Sequence, residues 1–96
     1  MRVLLIEDEA DIADALVRYL RAQGHAVDHA PDLDTARAAL EVAGFDAILL
    51  DLALPDGSGL VLLREQRHRG NRVPVIIATA RDQITERIAG LDAGAD

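Results

Sequence analysis

Three carboxylates and one hydroxyl stand at the ends of short apolar stretches of the sequence; they are Glu7, Asp8, Asp51 and Thr79. Carboxylates that lie within a few ångströms raise one another's pKa, so a cluster of them favours a bound divalent cation. Carboxylate and water oxygens are hard ligands that suit Mg²⁺ better than Zn²⁺. A carboxylate beside such an ion can also act as a nucleophile toward phosphorus, and Asp51 is placed for this.

Each of these residues also has an ordinary structural interpretation. Acidic residues favour helix N-termini, so Glu7 and Asp8 taken alone would indicate a charged helix start. Asp51 alone could be a turn residue, and Thr79 alone a β-branched strand residue. We favour the functional interpretation of Asp51 because it directly follows a four-residue apolar run. A residue in that position faces the crevice where parallel sheets bind their ligands.

The apolar stretches are short and continuous, as in strands that are buried on both faces of a sheet. They cover residues 3–6, 47–50 and 75–78, and a shorter strand is predicted over residues 26–29. Helices are predicted between and after them from apolar spacing, capping residues and glycines, near residues 12–20, 32–43, 58–68 and 83–93. Strands that alternate with helices across short loops form a parallel sheet with helices on both faces.

Composition narrows the classes of function. The 96 residues are half hydrophobic and 28% charged, which is typical of one globular domain. The net charge is −7 and all ten basic residues are arginine, so this segment is not expected to contact nucleic acid. Two aromatic residues are too few for platforms on which bases or flavins stack. The absence of cysteine, of a signal peptide and of a membrane-spanning stretch predicts a cytoplasmic protein.

Four segments of the sequence carry a family resemblance. They are residues 6–9 (IEDE), 50–59 (LDLALPDGSG), 79–82 (TARD) and 90–96 (GLDAGAD). In this order and spacing they resemble the signature of CheY-like receiver domains of bacterial response regulators, over residues 2–96. The third segment is most similar to receivers that precede a winged-helix DNA-binding domain in OmpR-type transcriptional regulators.

The resemblance implies a role for each candidate residue. Asp51 would accept a phosphoryl group from a sensor histidine kinase. Mg²⁺ would be bound by Asp8, Asp51 and the backbone carbonyl of Ala53, with Glu7 acting mainly through a metal-bound water. Thr79 would contact the phosphoryl oxygen and switch the conformation that controls an output, which in such regulators is transcription.

The resemblance also implies a fold, and it shows where this sequence departs from the family pattern. It implies a flavodoxin-like doubly wound parallel sheet with strand order 2-1-3-4, formed by residues 1–96 as one receiver domain. Such receivers carry a lysine after a fifth strand, followed by a fifth helix, whereas this sequence has no lysine and stops at Asp96. We therefore expect a domain that is incomplete at its C-terminus. Its fourth strand would be an exposed apolar edge, which predicts marginal stability or self-association as a homodimer.

Several other functions fit the residues less well than that of a receiver. A phosphatase of the haloacid-dehalogenase type needs a second aspartate at position 53, where this chain has Ala53, so turnover of a substrate is not expected. A flavodoxin-like electron carrier is disfavoured by the few aromatic residues and by the acidic pocket. The histidines His25, His29 and His68 are interpreted as surface or peripheral residues. A phosphorylation-independent interaction or dimerisation module stays open as the alternative function.

Overall fold

The computed structural model describes residues 1–77. Strands and helices alternate along this part of the chain, as the sequence pattern predicts. The predicted helix at residues 83–93 and Thr79 lie outside the described residues. The elements are β1 (Arg2–Ile6), α1 (Ala10–Ala22), β2 (Ala26–Ala30), α2 (Leu33–Val42), β3 (Ala47–Leu50), β4 (Ala53–Leu54), β5 (Gly57–Ser58), α3 (Gly59–His68) and β6 (Val75–Ile77).

The main sheet has four parallel strands in the order β2-β1-β3-β6. Because β6 is the strand that the sequence predicts as the fourth, this order confirms the predicted 2-1-3-4. The structure adds one element that the sequence pattern did not predict, the short antiparallel pair of β4 and β5. Residues 54–57 were predicted only as a turn, and Pro55-Asp56 is indeed the turn that joins these two strands.

The core lies on both faces of β1, whose inner residues Leu4, Leu5 and Ile6 are almost completely buried. Leu4 and Ile6 belong to a large cluster that includes residues of α2 and α3. Leu5 belongs to a smaller cluster with residues of α1. Helices therefore cover both faces of the sheet. Each such side chain contributes about 1.5 to 3 kcal/mol of hydrophobic stabilisation, which holds the central strand firmly under the candidate site.

The helix ends follow the predicted signals. Gly24, just beyond α1, has a φ of +90°, a conformation that glycine adopts without strain. The Ser58 hydroxyl accepts a hydrogen bond from the Leu60 amide at 3.2 Å, which caps α3 as predicted. Asp32 likewise caps α2 by accepting from the Thr35 amide at 2.7 Å.

A second carboxylate also caps α2, and it comes from a distant part of the chain. Asp56, in the turn between β4 and β5, accepts hydrogen bonds from the amides of Leu33 at 2.9 Å and Asp34 at 3.1 Å. These amides belong to the first turn of α2, where N–H groups have no partner within the helix. The bonds, first that from Leu33, hold the pKa of Asp56 below its ordinary value of 3.8. The cap therefore ties the segment that follows Asp51 to a neighbouring helix.

We expect Asp56→Ala to loosen the start of α2. Hydrogen exchange of the Leu33 and Asp34 amides should become severalfold faster, because both lose their acceptor. The exchange rates in Asp56→Asn should lie between those of wild type and Asp56→Ala, since the single oxygen of the asparagine side chain can still accept a hydrogen bond. The lowered pKa makes the cap fully effective above pH 3.8 and lost as the pH falls below the folded-state value. Equal exchange rates in Asp56→Ala and wild type at neutral pH would contradict this role.

Candidate metal centre

The two central strands deliver the acidic residues to one edge of the sheet. Glu7 and Asp8 follow β1, Asp51 follows β3, and the two strands are neighbours in a register that pairs Ile6 with Leu50. The Asp51 amide donates to the Ile6 carbonyl at 2.9 Å, so the pairing continues to the ends of both strands. This edge lies where the strand order reverses, which is the usual ligand position in open parallel sheets.

The structure brings three of the predicted site residues together. One carboxylate oxygen each from Glu7, Asp8 and Asp51 lies within 4.8 Å of the other two. The Glu7 and Asp51 residues are only 3% and 9% exposed, whereas Asp8 is exposed. Two carboxylates of the cluster are therefore buried, and the third, that of Asp8, is open to solvent.

No positive side chain within residues 1–77 neutralises this cluster. The ion pairs of the described residues are formed by Arg2, Arg18 and Arg37, all with other acidic residues. Burial, followed by the hydrogen bond with Asp51 and the negative charge of Asp51, together raise the pKa of Glu7 from 4.5 to about 7. A buried set of oxygen donors that repel one another fits a hard divalent cation such as Mg²⁺, which takes carboxylates together with several waters.

The raised pKa of Glu7 predicts a pH-dependent stability for the metal-free chain. The folded state holds the Glu7 proton more tightly than the unfolded state, so stability falls as the pH rises from 4.5 through about 7. The ionised form should cost about 3 kcal/mol, because the pKa rises from 4.5 to about 7 and each pKa unit corresponds to 1.36 kcal/mol. Urea unfolding in EDTA measures it, with Glu7→Gln as the matched variant that carries no charge. If wild type and Glu7→Gln keep the same stability difference from pH 4 to pH 8, Glu7 is not the cause.

Of the two remaining predicted site residues, Thr79 lies outside the described residues, whereas Ala53 is placed by the structure. Ala53 begins β4, and its amide donates to Oδ1 of Asp51 at 3.3 Å, so this residue lies directly beside the acidic cluster. Gly59, at the start of α3, packs against the backbone of Asp51. A Cβ atom at Gly59 would lie 2.6 Å from the Asp51 carbonyl oxygen, which explains why a residue without a side chain occupies the position.

His29, which the sequence predicts to be a surface or peripheral residue, is exposed, and its ring contacts the segment that carries Glu7 and Asp8. Its Nε2 is 2.7 Å from the backbone carbonyl oxygen of Glu7. A signal for this contact was present in the sequence, because the strand predicted over residues 26–29 ends at His29. The ends of neighbouring parallel strands meet at one edge, and β2 is the neighbour of β1.

A parallel sheet of this order, with three clustered carboxylates at its switch point, defines the receiver class of α/β proteins. The chain belongs to the response regulator receiver domain family, whose model matches residues 3–96. Receivers are the input modules of two-component response regulators, and phosphorylation of an aspartate and dependence on Mg²⁺ are general to the family. The family is a class of signalling domain and not of metabolic enzymes.

Three similar proteins illustrate the relationship. The response regulator protein PmrA of Pseudomonas aeruginosa is 45% identical and the transcriptional regulatory protein QseB of Haemophilus influenzae is 48% identical, each over all 96 residues. The chain spans only 43% of the length of each of these two relatives. The solved structure of the response regulator TrrA of Thermotoga maritima, in complex with Mg²⁺-BeF, is 27% identical. It has a TM-score of 0.87, with 99% of this chain and 81% of that chain covered.

Within the part of the chain that the structure describes, no helix has both the length and the apolar character needed to span a membrane.

Proposed function

We propose that Asp51 accepts a phosphoryl group from a sensor histidine kinase, with Mg²⁺ held by Glu7, Asp8, Asp51 and the backbone carbonyl of Ala53. The observation that carries this proposal is the carboxylate cluster at the switch point of the sheet, in which Glu7 and Asp51 are buried and which pairs with no positive side chain of residues 1–77. The family relationship supports the phosphoacceptor role, and the Mg²⁺-BeF complex of TrrA supports the choice of metal by analogy.

Each group has a distinct role in the phosphoryl transfer. A carboxylate oxygen of Asp51 forms the new bond to phosphorus while the nitrogen–phosphorus bond of the donor phosphohistidine breaks. The imidazole nitrogen of the donor keeps the bonding electrons and takes up a proton. The amide of Ala53, 3.3 Å from Oδ1 of Asp51, orients the carboxylate for the attack. Mg²⁺ held by these residues would neutralise the charge that gathers on the phosphoryl oxygens.

The cost of the buried charges explains why the metal is required. Glu7 alone resists ionisation at neutral pH, and an incoming phosphoryl group would bring more negative charge to the same place. A cation beside Glu7 would favour its ionised form and so complete the set of carboxylate ligands. Without the cation, phosphorylation should therefore be very slow.

The signalling role is proposed for a longer protein. Residues 1–96 would act as the receiver domain of a transcriptional response regulator, as the names and greater lengths of its relatives suggest. Thr79 would contact the phosphoryl oxygen and transmit the change to the output. The acidic segment would not contact DNA itself, would form homodimers, and would act in the cytoplasm.

Acetyl phosphate tests the proposal directly, because it is a small phosphoryl donor that needs no kinase. The chain is incubated with it in Mg²⁺ or in EDTA and its intact mass is measured. We expect a single added phosphate in Mg²⁺ and almost none in EDTA. The sequence has no lysine, so side-chain acetylation does not complicate the masses. An adduct that forms equally in EDTA would contradict the metal site. No adduct in either buffer would favour the alternative of a phosphorylation-independent interaction module.

A further inference from the structure

We propose that His29 is a positioning residue for the metal site, because it holds the turn that carries Glu7 and Asp8. This inference rests on the proposed function and adds to it a residue of β2, the strand beside β1. The contact that carries it is the 2.7 Å hydrogen bond between the His29 ring and the Glu7 carbonyl oxygen.

The chemistry of the contact determines which atom donates. A carbonyl oxygen can only accept, so Nε2 of His29 carries the hydrogen and donates it. The hydrogen bond therefore requires a ring protonated on Nε2, and the other ring nitrogen takes no part in holding the turn. At 2.7 Å the bond lies at the short end of the range for nitrogen donors.

Residues of β2 form hydrogen bonds with both the backbone amide and the backbone carbonyl of Glu7. Its amide donates to the Ala30 carbonyl at 3.0 Å, and its carbonyl accepts from the His29 ring. β2 ends at Ala30, so the sheet itself offers no further strand residue to bond this carbonyl. The histidine side chain thus replaces the hydrogen bond that a longer β2 would have supplied through its backbone.

This restraint acts where the carboxylates repel one another. Glu7 and Asp8 leave β1 in a short segment before α1 begins at Ala10, and repulsion from Asp51 pushes that segment outward. A peptide fixed at the Glu7 carbonyl limits this movement. The ligand oxygens then stay close together before a cation arrives, and less conformational freedom is lost when it binds.

The other two histidines provide a contrast. His25 lies near the chain's amino group, 3.4 Å from it, and His68 lies at the end of α3. Neither contacts the segment that carries the carboxylates. His68, which is exposed, is therefore a suitable control position for the same substitutions.

Mg²⁺ titration of the whole 96-residue chain tests the proposal, with the dissociation constant taken from amide NMR shifts. We expect His29→Leu to weaken Mg²⁺ binding about tenfold, as is typical when a partner of a ligating residue is lost. His29→Gln should restore most of the affinity, because its amide nitrogen reaches the Nε2 position. His29→Asn is equally polar but too short, and should stay weak. His68→Leu should bind as wild type does.

The variants separate failure of this inference from failure of the proposed site. Asp8→Ala removes a proposed ligand, and if it binds Mg²⁺ as tightly as wild type, the site itself is wrong. If Asp8→Ala loses binding while His29→Leu and His29→Asn keep it, only the positioning role is overturned. Equal affinities of His29→Gln and His29→Asn would also overturn it, and this comparison remains decisive if the leucine variant does not fold. Unfolding free energies in EDTA distinguish a local loss of affinity from a general loss of stability.

Discussion

Asp51→Asn is expected to abolish phosphate incorporation from acetyl phosphate in the presence of Mg²⁺. The substitution replaces a nucleophilic carboxylate oxygen with an amide, which cannot form the acyl phosphate. The fold should survive, because asparagine has nearly the same shape and its oxygen can still accept from the Ala53 amide. Intact-mass measurement after incubation should show the unmodified chain, whereas wild type gains one phosphate.

A second expected result follows from the same substitution. Asp51→Asn removes one of three carboxylates that repel one another, so the pKa of Glu7 should move back toward its ordinary value. The metal-free variant should then lose less stability than wild type as the pH rises from 4.5 to 7. Asp11→Asn is the matched control, since Asp11 is an exposed acidic residue in the first turn of α1. It should incorporate phosphate as wild type does, and a phosphate adduct on Asp51→Asn would assign the acceptor to another residue.

Gly59→Ala is expected to destabilise the fold by about 3 kcal/mol, at the upper end of the usual cost of adding a methyl group to a packed interior. The new Cβ would lie 2.6 Å from the Asp51 carbonyl oxygen and 2.8 Å from Cδ1 of Leu50. The first of these is a backbone atom, so it can move only if the end of β3 moves with it. At most helix positions alanine makes a protein more stable than glycine does, by up to about 1 kcal/mol. At position 59 we expect the opposite sign of the stability change.

Gly44→Ala provides the control for this substitution. A Cβ atom at Gly44 meets no atom within 4 Å, and its φ is not positive. We expect a change of less than about 0.5 kcal/mol there, as at ordinary surface positions. Urea unfolding of both variants measures the difference. If Gly59→Ala is as stable as Gly44→Ala, the junction of β3 and α3 can open without cost. The contact of Gly59 with the Asp51 backbone would then not fix the position of Asp51.

Much of the fold could be predicted from the sequence, because its elements are coded locally. Continuous apolar runs predicted β1, β3 and β6, and helical spacing with Gly24 and Ser58 predicted the limits of α1 and α3 to within a few residues. The family resemblance supplied the strand order, which the structure confirms. Clustering of the carboxylates was predicted too, because residues that end neighbouring parallel strands must meet at one edge of the sheet.

Other features depend on pairs of residues that are far apart in the sequence. The Asp56 cap on α2 joins residues 22 and 23 positions apart, and the His29 contact with Glu7 joins residues 22 positions apart. An aspartate in a Pro-Asp-Gly turn and a histidine near a strand end have many local explanations, so neither residue type indicates its partner. The short pair of β4 and β5 likewise forms within a segment whose sequence predicts only a turn.

Within residues 1–77, the sequence by itself therefore determined the helices, the strands of the main sheet and the acidic residues that follow those strands, since periodicity and strand ends are properties of neighbouring residues. Only the tertiary structure decided how those carboxylates are supported. Their burial, the raised pKa of Glu7, the contact of Gly59 with the Asp51 backbone and the His29 hydrogen bond arise where β1, β2, β3 and α3 pack together. Packing sets these features because burial and charge repulsion depend on distances in space and not on positions along the chain.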